Sequence, residues 1–198
     1  CSAAKRIYIH EDIYDELSAA IAAYASVVKV GDGAEQGTAI GPIQNKQQYN
    51  RVLELIADAK DKGYTFLVGG DHDPSIPGYF VPVTVLDNPP EDARIVAEEQ
   101  FGPVMPLMKF STVDEVISRA NASDYGLAGS IWTSNPEAAV AVAEQLETGT
   151  VWINESMHLA PNAPFAGHKQ SGFGAELGEE GLLEFTYPQV ITIAREAA

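Results

Sequence analysis

The sequence contains a single cysteine among its 198 residues. No disulfide bond can form within the chain, and this composition is typical of the reducing cytoplasm, where we expect the protein to reside. No apolar run approaches the roughly 18 residues of a membrane span, and the mean hydropathy is -0.07. Basic residues are scarce: 12 Lys and Arg stand against 28 Asp and Glu, a net charge of -16. Such a charge repels nucleic acid and anionic membranes, and we exclude both as partners.

Recognisable metal and phosphate sites are also lacking. The histidines are scattered and form no ligand pair, so no metal is predicted. Residues 172–178 have the spacing G-x-G-x-x-x-G, which is one residue longer than the dinucleotide-binding motif, and no strong strand precedes them. This segment therefore favours a tight turn. Neither a G-x-S-x-G elbow nor a P-loop is present.

Strand-like and helix-like segments alternate along the chain. Apolar residues recur at spacings of three and four from Asp12 onward and again over residues 44–61, which predicts two amphipathic helices. Thr112 and Glu115 form a capping-box pattern, and residues 135–137 (NPE) place a cap before a proline at the first helical position. Strands are predicted near residues 5–9, 64–68, 80–86, 104–110, 128–132, 150–153 and 190–193.

This alternation predicts an α/β fold, an open, twisted and mainly parallel sheet flanked by helices. Pro82 and Pro106 indicate that their strands are irregular or lie at a sheet edge. The helix that opens at Pro136 is expected to run to about Leu146. No linker is visible, so we expect no division of the chain into two domains.

The first residue, Cys1, is itself informative. An arbitrary chain boundary explains it most simply. It also fits a lipoprotein cysteine, although a polar tether usually follows such a residue, whereas here residues 5–9 form a strand-like run. A third interpretation is an N-terminal nucleophile whose own amine serves as the base, as in some amidohydrolases.

Residues 98–103 (EEQFGP) form a second unusual segment, in which two acids and an aromatic precede a Gly-Pro turn and an apolar strand. A carboxylate placed just before a strand can accept hydrogen bonds from a polyol such as a ribose, and a nearby aromatic ring can pack on a flat ring. The alternative is a loop with a capping acid and a buried anchoring Phe101. Physical considerations alone favour this alternative.

Four segments in order resemble the catalytic domain of the NAD(P)-dependent aldehyde dehydrogenase superfamily. Residues 1–6 (CSAAKR) resemble the stretch that begins at the family's nucleophile, and residues 41–43 (GPI) resemble its GP loop. Residues 98–104 (EEQFGPV) are similar to its E-E-x-F-G-P-V motif, and residues 164–172 (PFAGHKQSG) to its P-F-G-G-x-K-x-S-G segment. The strand expected just before that segment fits residues 149–154. The resemblance is colinear over essentially the whole chain.

The resemblance implies a role for each matching residue. Cys1 is the implied nucleophile, which attacks an aldehyde to give a thiohemiacetal and then a thioester, and its backbone N–H helps bind the oxyanion. Glu99 is expected to hydrogen-bond the nicotinamide ribose of NAD or NADP, and Phe101 to pack beside the nicotinamide. Gln48 is a weaker candidate for a cofactor contact. Phe165 is expected to face the aldehyde tunnel, which makes it the substrate-binding residue.

Three further expectations follow from the resemblance. Met157 and His158 are expected near the tunnel, although core packing is an equal alternative for Met157 and Phe165. Ala166 stands where the family usually has glycine. Because alanine carries a methyl group, the backbone at this position is expected to have a negative φ. We expect homodimers or homotetramers that pair through a C-terminal oligomerisation strand near residues 190–193.

The same comparison implies that the chain is incomplete as an enzyme. We expect residues 1–185 to form the catalytic domain and residues 186–198 the oligomerisation strand and tail, with the N-terminal cofactor domain absent. The family's general-base glutamate and its oxyanion-hole side-chain amide also have no counterpart here. The isolated chain is therefore expected to be inactive.

Two other functions stay open. A non-catalytic assembly module with the same fold would associate without turnover. An amidohydrolase with Cys1 as N-terminal nucleophile would need a free α-amine, and the colinear motifs argue against it.

Overall fold

The computed structural model describes residues 1–195 and divides the chain into two compact units. Unit 1 comprises Cys1 and residues 3–122, and unit 2 comprises Ser2 and the residues from Ser123 onward. The division after Ala122 falls directly after the end of a helix. No linker in the sequence marks it. The division into these two units differs from the expected partition into residues 1–185 and 186–198. That partition into a catalytic domain and an oligomerisation tail stays a prediction.

Unit 1 is built on a four-stranded sheet in the order β1 (Ile7–His10), β4 (Val104–Phe110), β3 (Thr84–Asp87) and β2 (Thr65–Val68). The β1–β4 and β3–β4 pairs are parallel, and the β2–β3 pair is antiparallel. The expected mainly parallel α/β sheet is thus confirmed.

Most helices of unit 1 begin after a residue whose side chain accepts a capping hydrogen bond, whereas the shortest one is preceded by Ala93 and has no such bond. The helices are α1 Glu11–Ser26, α2 Lys46–Asp61, α3 Arg94–Ala97 and α4 Val113–Asn121. The Asn45 side chain accepts a hydrogen bond from the Gln48 N–H at 2.8 Å and so caps α2. Thr112 accepts from the Glu115 N–H at 3.3 Å and caps α4.

Side chains of alternate residues in the strands pack into two apolar clusters, one on each face of the sheet. Leu86 and Met108 belong to the cluster that includes Leu55 of α2. The adjacent residues Val85 and Leu107 belong to the other cluster, which includes Tyr14 of α1. The two long helices therefore cover opposite faces and hold the sheet between them.

The two strand prolines behave differently from one another. Pro82 lies before β3, which begins at Thr84 rather than near residue 80. Pro106, however, lies inside β4, which is paired on both sides, so the expectation of an edge or irregular strand is wrong there. The Asn88 N–H donates to the Leu107 carbonyl, so the backbone of Leu107 faces β3 and that of Pro106 faces β1. Because Leu107 is paired with Ile7, the first residue of β1, Pro106 lies opposite the residue that precedes β1. The missing N–H of Pro106 therefore removes no hydrogen bond from the β1–β4 ladder.

The described part of unit 2, which ends at residue 195, contains three two-stranded pairs and two short helices. The β6–β7 pair is parallel, and the β5–β9 and β8–β10 pairs are antiparallel. Its elements are β5 Tyr125–Gly126, β6 Ala128–Ile131, α5 Pro136–Ala143, β7 Thr150–Ile153, β8 Phe165–Ala166, β9 His168–Lys169, β10 Ala175–Glu176 and α6 Gly178–Leu183.

Two predictions for unit 2 differ from the structure. Helix α5 starts at Pro136 as predicted but ends at Ala143 rather than near Leu146, because the Gln145 N–H turns to the Val142 carbonyl. The strand predicted over residues 190–193 is absent within this single chain, where residues 188–195 have no regular structure. Among residues 1–195, no helix is long and apolar enough to cross a membrane.

Candidate active site

Cys1 lies exposed at the start of a segment that is fastened to unit 1 by its basic residues. The Lys5 ammonium donates a hydrogen bond to the Val96 carbonyl at 2.5 Å. The Arg6 guanidinium donates to the Ala120 carbonyl at 2.9 Å. The segment is thereby held against α3 and α4 just before β1 begins.

A second segment, residues 98–101, alternates between anchored and exposed side chains. Glu98 is half-buried and contacts both Arg51 of α2 and Arg94 of α3, the latter through Nε at 2.6 Å. Since a carboxylate binds guanidinium groups through charge-assisted hydrogen bonds, Glu98 is firmly oriented. Glu99, the adjacent residue, is exposed.

Gln100 is the second anchored residue and is only 3% exposed. Its side-chain amide donates to the Ile95 carbonyl. Its own carbonyl accepts a hydrogen bond from the Gln48 side chain at 2.5 Å. The Gln48 amide nitrogen is therefore engaged in bracing this loop. Sequence reasoning considered it only as a cofactor contact.

Phe101 is 56% exposed and has a φ of 48°. The alternative of a buried anchoring phenylalanine therefore does not describe this residue. A non-glycine residue in the left-handed region costs roughly 1–2 kcal/mol, and such strain persists only where neighbouring contacts impose it. The bonds made by Gln48 and Gln100 are contacts of this kind. We name residues 98–101 the platform, since Glu99 and Phe101 project from it while Glu98 and Gln100 anchor it.

Lys5 connects the electrostatics of the two segments. Burial, and then the charge of Arg6, lower the Lys5 pKa to about 8, while the Glu99 carboxylate opposes the shift. The Lys5–Val96 hydrogen bond holds the segment that begins at Cys1 against α3, the helix that directly precedes the platform in sequence. Sequence reasoning missed the contacts of Lys5, Arg51 and Arg94, although the helical i,i+4 spacing of Arg94 and Glu98 could have indicated one of them.

Phe165 belongs to unit 2, where it is half-buried in β8 and pairs with Glu176. Met157 is 60% exposed and has a φ of 59°. His158 is exposed, and its carbonyl accepts a hydrogen bond from the Trp152 indole at 2.7 Å. Core packing therefore does not account for the exposed Met157. The half-buried Phe165 is compatible with both core packing and a position in the aldehyde tunnel.

Ala166 has no positive φ, as its methyl group requires. A Cβ atom placed on Gly149 would lie 1.7 Å from the Ala166 carbonyl oxygen, so glycine is needed at the facing position instead. Within residues 1–195, no group of three or more His, Cys, Asp or Glu side chains is arranged to hold a metal ion.

Comparison with known proteins identifies relatives over nearly the whole chain. The model of the aldehyde dehydrogenase family matches residues 1–191. A putative aldehyde dehydrogenase, DhaS, of Bacillus subtilis (strain 168) is 44% identical over 186 residues, which are 94% of this chain and 37% of the relative. A mitochondrial aldehyde dehydrogenase of Leishmania tarentolae is 43% identical, covering 98% of this chain and 39% of the relative.

Solved structures give the same result. The NAD+ complex of an aldehyde dehydrogenase from Bacillus cereus has a TM-score of 0.90 at 43% identity, covering 94% of this chain and 38% of that one. Lactaldehyde dehydrogenase from Escherichia coli has a TM-score of 0.91 at 35% identity, covering 96% of this chain and 40% of that one. The chain thus spans about two fifths of the length of the proteins that it matches.

Proposed function

Because the chain belongs to the aldehyde dehydrogenase family, we propose that it is the catalytic part of an enzyme that oxidises an aldehyde to a carboxylic acid with NAD or NADP. The observation that carries this proposal is the family match, which begins at Cys1 and includes the platform. In this proposal the chain is one part of a longer enzyme, because it covers only 37% and 39% of two of its relatives. The isolated chain is expected to be inactive.

Cys1 acts as the nucleophile in this proposal. Its thiolate attacks the aldehyde carbonyl carbon and forms a C–S bond, which gives a thiohemiacetal. That carbon then loses a hydride, which NAD or NADP would accept when bound, and the hydroxyl group of the thiohemiacetal releases its proton to water, which leaves a thioester on Cys1. Water then adds to the thioester, the C–S bond breaks, and the carboxylic acid and the free thiol are released. The exposure of Cys1 leaves its sulfur open to a substrate.

The platform suits the nicotinamide half of the cofactor. NAD or NADP, when bound, supplies the oxidant for the thiohemiacetal. The exposed Glu99 carboxylate can accept hydrogen bonds from two ribose hydroxyl groups, and the Phe101 ring can pack against a flat heterocycle. Glu98 and Gln100 are held by Arg51, Arg94 and Gln48, so the loop is ordered before a ligand arrives. Such preorganisation reduces the entropy lost on binding.

Phe165 serves as an apolar wall for the aldehyde in this proposal.

Self-association into dimers or tetramers is proposed through residues 182–193, which carry seven exposed large apolar side chains: Leu182, Leu183, Phe185, Tyr187, Val190, Ile191 and Ile193. A run of exposed apolar side chains of this kind is typical of a surface that another protein chain covers. The same observation favours the second candidate, a non-catalytic assembly module with this fold.

A cytoplasmic location is part of the proposal and rests on the single cysteine.

A chimera tests this function. The part of the Bacillus subtilis relative that precedes its matched residues is joined to Cys1, and NADH and NADPH formation is followed with a panel of aldehydes. We expect turnover by the chimera and none by the isolated chain. Cys1→Ser should lower kcat about 10³-fold or more, since the covalent step is lost. Ser2→Ala, at the adjacent position, is the matched control and should keep full activity.

Aldehyde-dependent NAD(P)H formation by the isolated chain would contradict the proposal, as would an active Cys1→Ser chimera. A folded chimera that associates but never turns over would instead support the assembly module.

A further inference from the structure

The Arg6 guanidinium is held from several sides at once, and the Arg6 side chain is only 18% exposed. Its Nη1 atom donates hydrogen bonds to the Tyr8 hydroxyl group at 2.9 Å and to the Arg119 carbonyl at 3.1 Å. Its Nη2 atom donates to the Ala120 carbonyl at 2.9 Å. Both carbonyls lie at the C-terminal end of α4, where the helix dipole attracts a cation. Because the guanidinium is planar, meeting acceptors on β1 and α4 together fixes both its place and its orientation.

Glu91 fastens this arrangement. Its Oε1 atom accepts a hydrogen bond from the Tyr8 hydroxyl group at 2.5 Å and pairs with Arg6 at 3.4 Å. Its Oε2 atom accepts from Nε of Arg119 at 2.9 Å. Glu115, in turn, binds the Arg119 guanidinium at 2.8 Å. Two carboxylates thus neutralise the two guanidinium groups, and we name these five side chains the Arg6 cluster.

The Arg6 cluster is suited to fixing geometry rather than to stabilising the fold. Partly buried ion pairs gain little net free energy, because the attraction between the charges is offset by the loss of their hydration. The partners come from β1, α4 and the loop that carries Glu91, so one arrangement of these elements satisfies all of the bonds. The three parts of unit 1 are thereby joined at Arg6.

This junction lies at the base of the segment that carries the nucleophile. Arg6 follows Cys1 by five residues and directly precedes β1. Residues 1–5 have no regular secondary structure, so the course of the segment depends on the side chains that anchor it. The bond from Lys5 to the Val96 carbonyl is a single contact, about which the segment can still turn. Arg6 has four acceptors, which fix the direction of the segment as well as its position.

We propose that Arg6 is a positioning residue that directs Cys1 toward the aldehyde. A nucleophile must lie within about 0.5 Å of its productive position, and a displacement of about 1 Å can lower the rate about 10²-fold. This proposal rests on the proposed function, because that function assigns the attack on the aldehyde to Cys1.

Pre-steady-state kinetics of the chimera test this role. The rate of the first turnover is measured as NADH formation, and the dissociation constant of NADH is measured by fluorescence. Arg6→Lys keeps the positive charge, but its single ammonium group cannot reach all four acceptors. Arg119→Lys is the matched control, because it also takes a guanidinium group from Glu91 but keeps the backbone carbonyl that Arg6 binds.

We expect Arg6→Lys to lower the first-turnover rate about 10²-fold, since Cys1 is then misplaced. The dissociation constant of NADH should stay unchanged, because the platform keeps its own anchors in this variant. Arg119→Lys should keep most of the rate. A role in folding alone does not predict this difference between two Arg→Lys variants of the same cluster.

NMR spectroscopy of the 198-residue chain tests the positioning without cofactor, aldehyde or turnover. Backbone order parameters over residues 4–6 should fall from about 0.85 in the unchanged chain to below about 0.6 in Arg6→Lys. They should stay high in Arg119→Lys.

Equal losses of rate in Arg6→Lys and Arg119→Lys would overturn the proposal, and so would a segment in Arg6→Lys as rigid as in the unchanged chain. If Arg6→Lys does not fold, Glu91→Gln takes its place: its first-turnover rate should lie below that of Arg119→Lys, and an equal rate would overturn the proposal. An inactive chimera would contradict the proposed function, whereas the order parameters would still decide on Arg6, so the two failures can be told apart.

Discussion

Glu98 and Glu99 are adjacent and chemically identical, yet their surroundings differ completely. Glu98 is bound by two guanidinium groups, whereas Glu99 is exposed. Arg51, one of these partners, lies 47 residues away in sequence. No local pattern reveals such a contact, so only the family resemblance favours a ribose-binding carboxylate over a capping acid here.

The positive φ of Phe101 is a second feature that the sequence does not reveal. Phenylalanine rarely adopts this conformation, and the residue types around it predict no such strain. The conformation depends on the bonds that Gln48 and Gln100 make to the loop. The aromatic ring is consequently presented to solvent, where a ligand can reach it.

The titration of Lys5 gives a stability prediction at the residue scale. Because folding lowers the Lys5 pKa from 10.5 to about 8, the unfolded chain binds more protons than the folded chain between these values. The free energy of unfolding should therefore rise with pH from about 8 toward about 10 relative to that of Lys5→Met. Urea unfolding of both chains at several pH values measures this difference.

A difference between the two chains that stays constant or shrinks over this pH range would contradict the prediction. The range ends near pH 10 because the unfolded chain itself loses the Lys5 proton near the ordinary pKa of 10.5, whereas Tyr8 is present in both chains and cancels in their difference. Burial, and then its bond to Glu91, raise the pKa of that phenol, so its contribution to stability is lost as the unfolded tyrosine ionises.

Helix starts are the elements that the sequence predicts best. Thr112 and Asn135 both accept the expected capping hydrogen bonds, and α5 begins at Pro136. Such signals depend on residues within one turn, so they can be read locally. The ends of elements are less predictable: α5 stops early, and Pro106 lies inside a paired strand. These outcomes depend on partners distant in sequence.

The cap of α4 provides a prediction at the element scale. Thr112→Ala removes the acceptor of the Glu115 N–H bond and should lower the free energy of unfolding by about 1 kcal/mol. Thr112→Ser keeps the hydroxyl group and should lose much less. Urea denaturation of the three chains measures both effects, and equal losses in the two variants would show that the cap bond is unimportant.

At the scale of the whole molecule, the sequence identified the family but not the two-unit arrangement. The colinear motifs of residues 1–172 sufficed for the former, and the family match confirms it. The division after Ala122 follows the end of helix α4 directly, and no change in residue composition marks it in the sequence. Likewise, residues 190–193 contain the apolar pattern of a strand, but a strand needs a partner, and a single chain supplies none there.

The exposed apolar tail predicts self-association. Val190 and Ile191 are 85% and 78% exposed, and burial of each would contribute about 2 kcal/mol. We expect sedimentation velocity to show dimers or tetramers of the chain and mainly monomers of the double variant Val190→Asp/Ile191→Asp. Val27→Asp is the matched control, because Val27 is 77% exposed in unit 1. Equal association of both variants, or a chain that is monomeric throughout, would exclude this role of the tail.

Cys1 is expected to become covalently acylated during aldehyde oxidation. Mass spectrometry of the chimera, quenched with acid during turnover, detects this acylation. We predict that the peptide containing Cys1 gains the mass of the acyl group derived from the aldehyde, only when NAD or NADP is present, and that Cys1→Ser removes this species. An active chimera whose Cys1 peptide stays unmodified, or whose acyl group resides on another residue, would contradict the account.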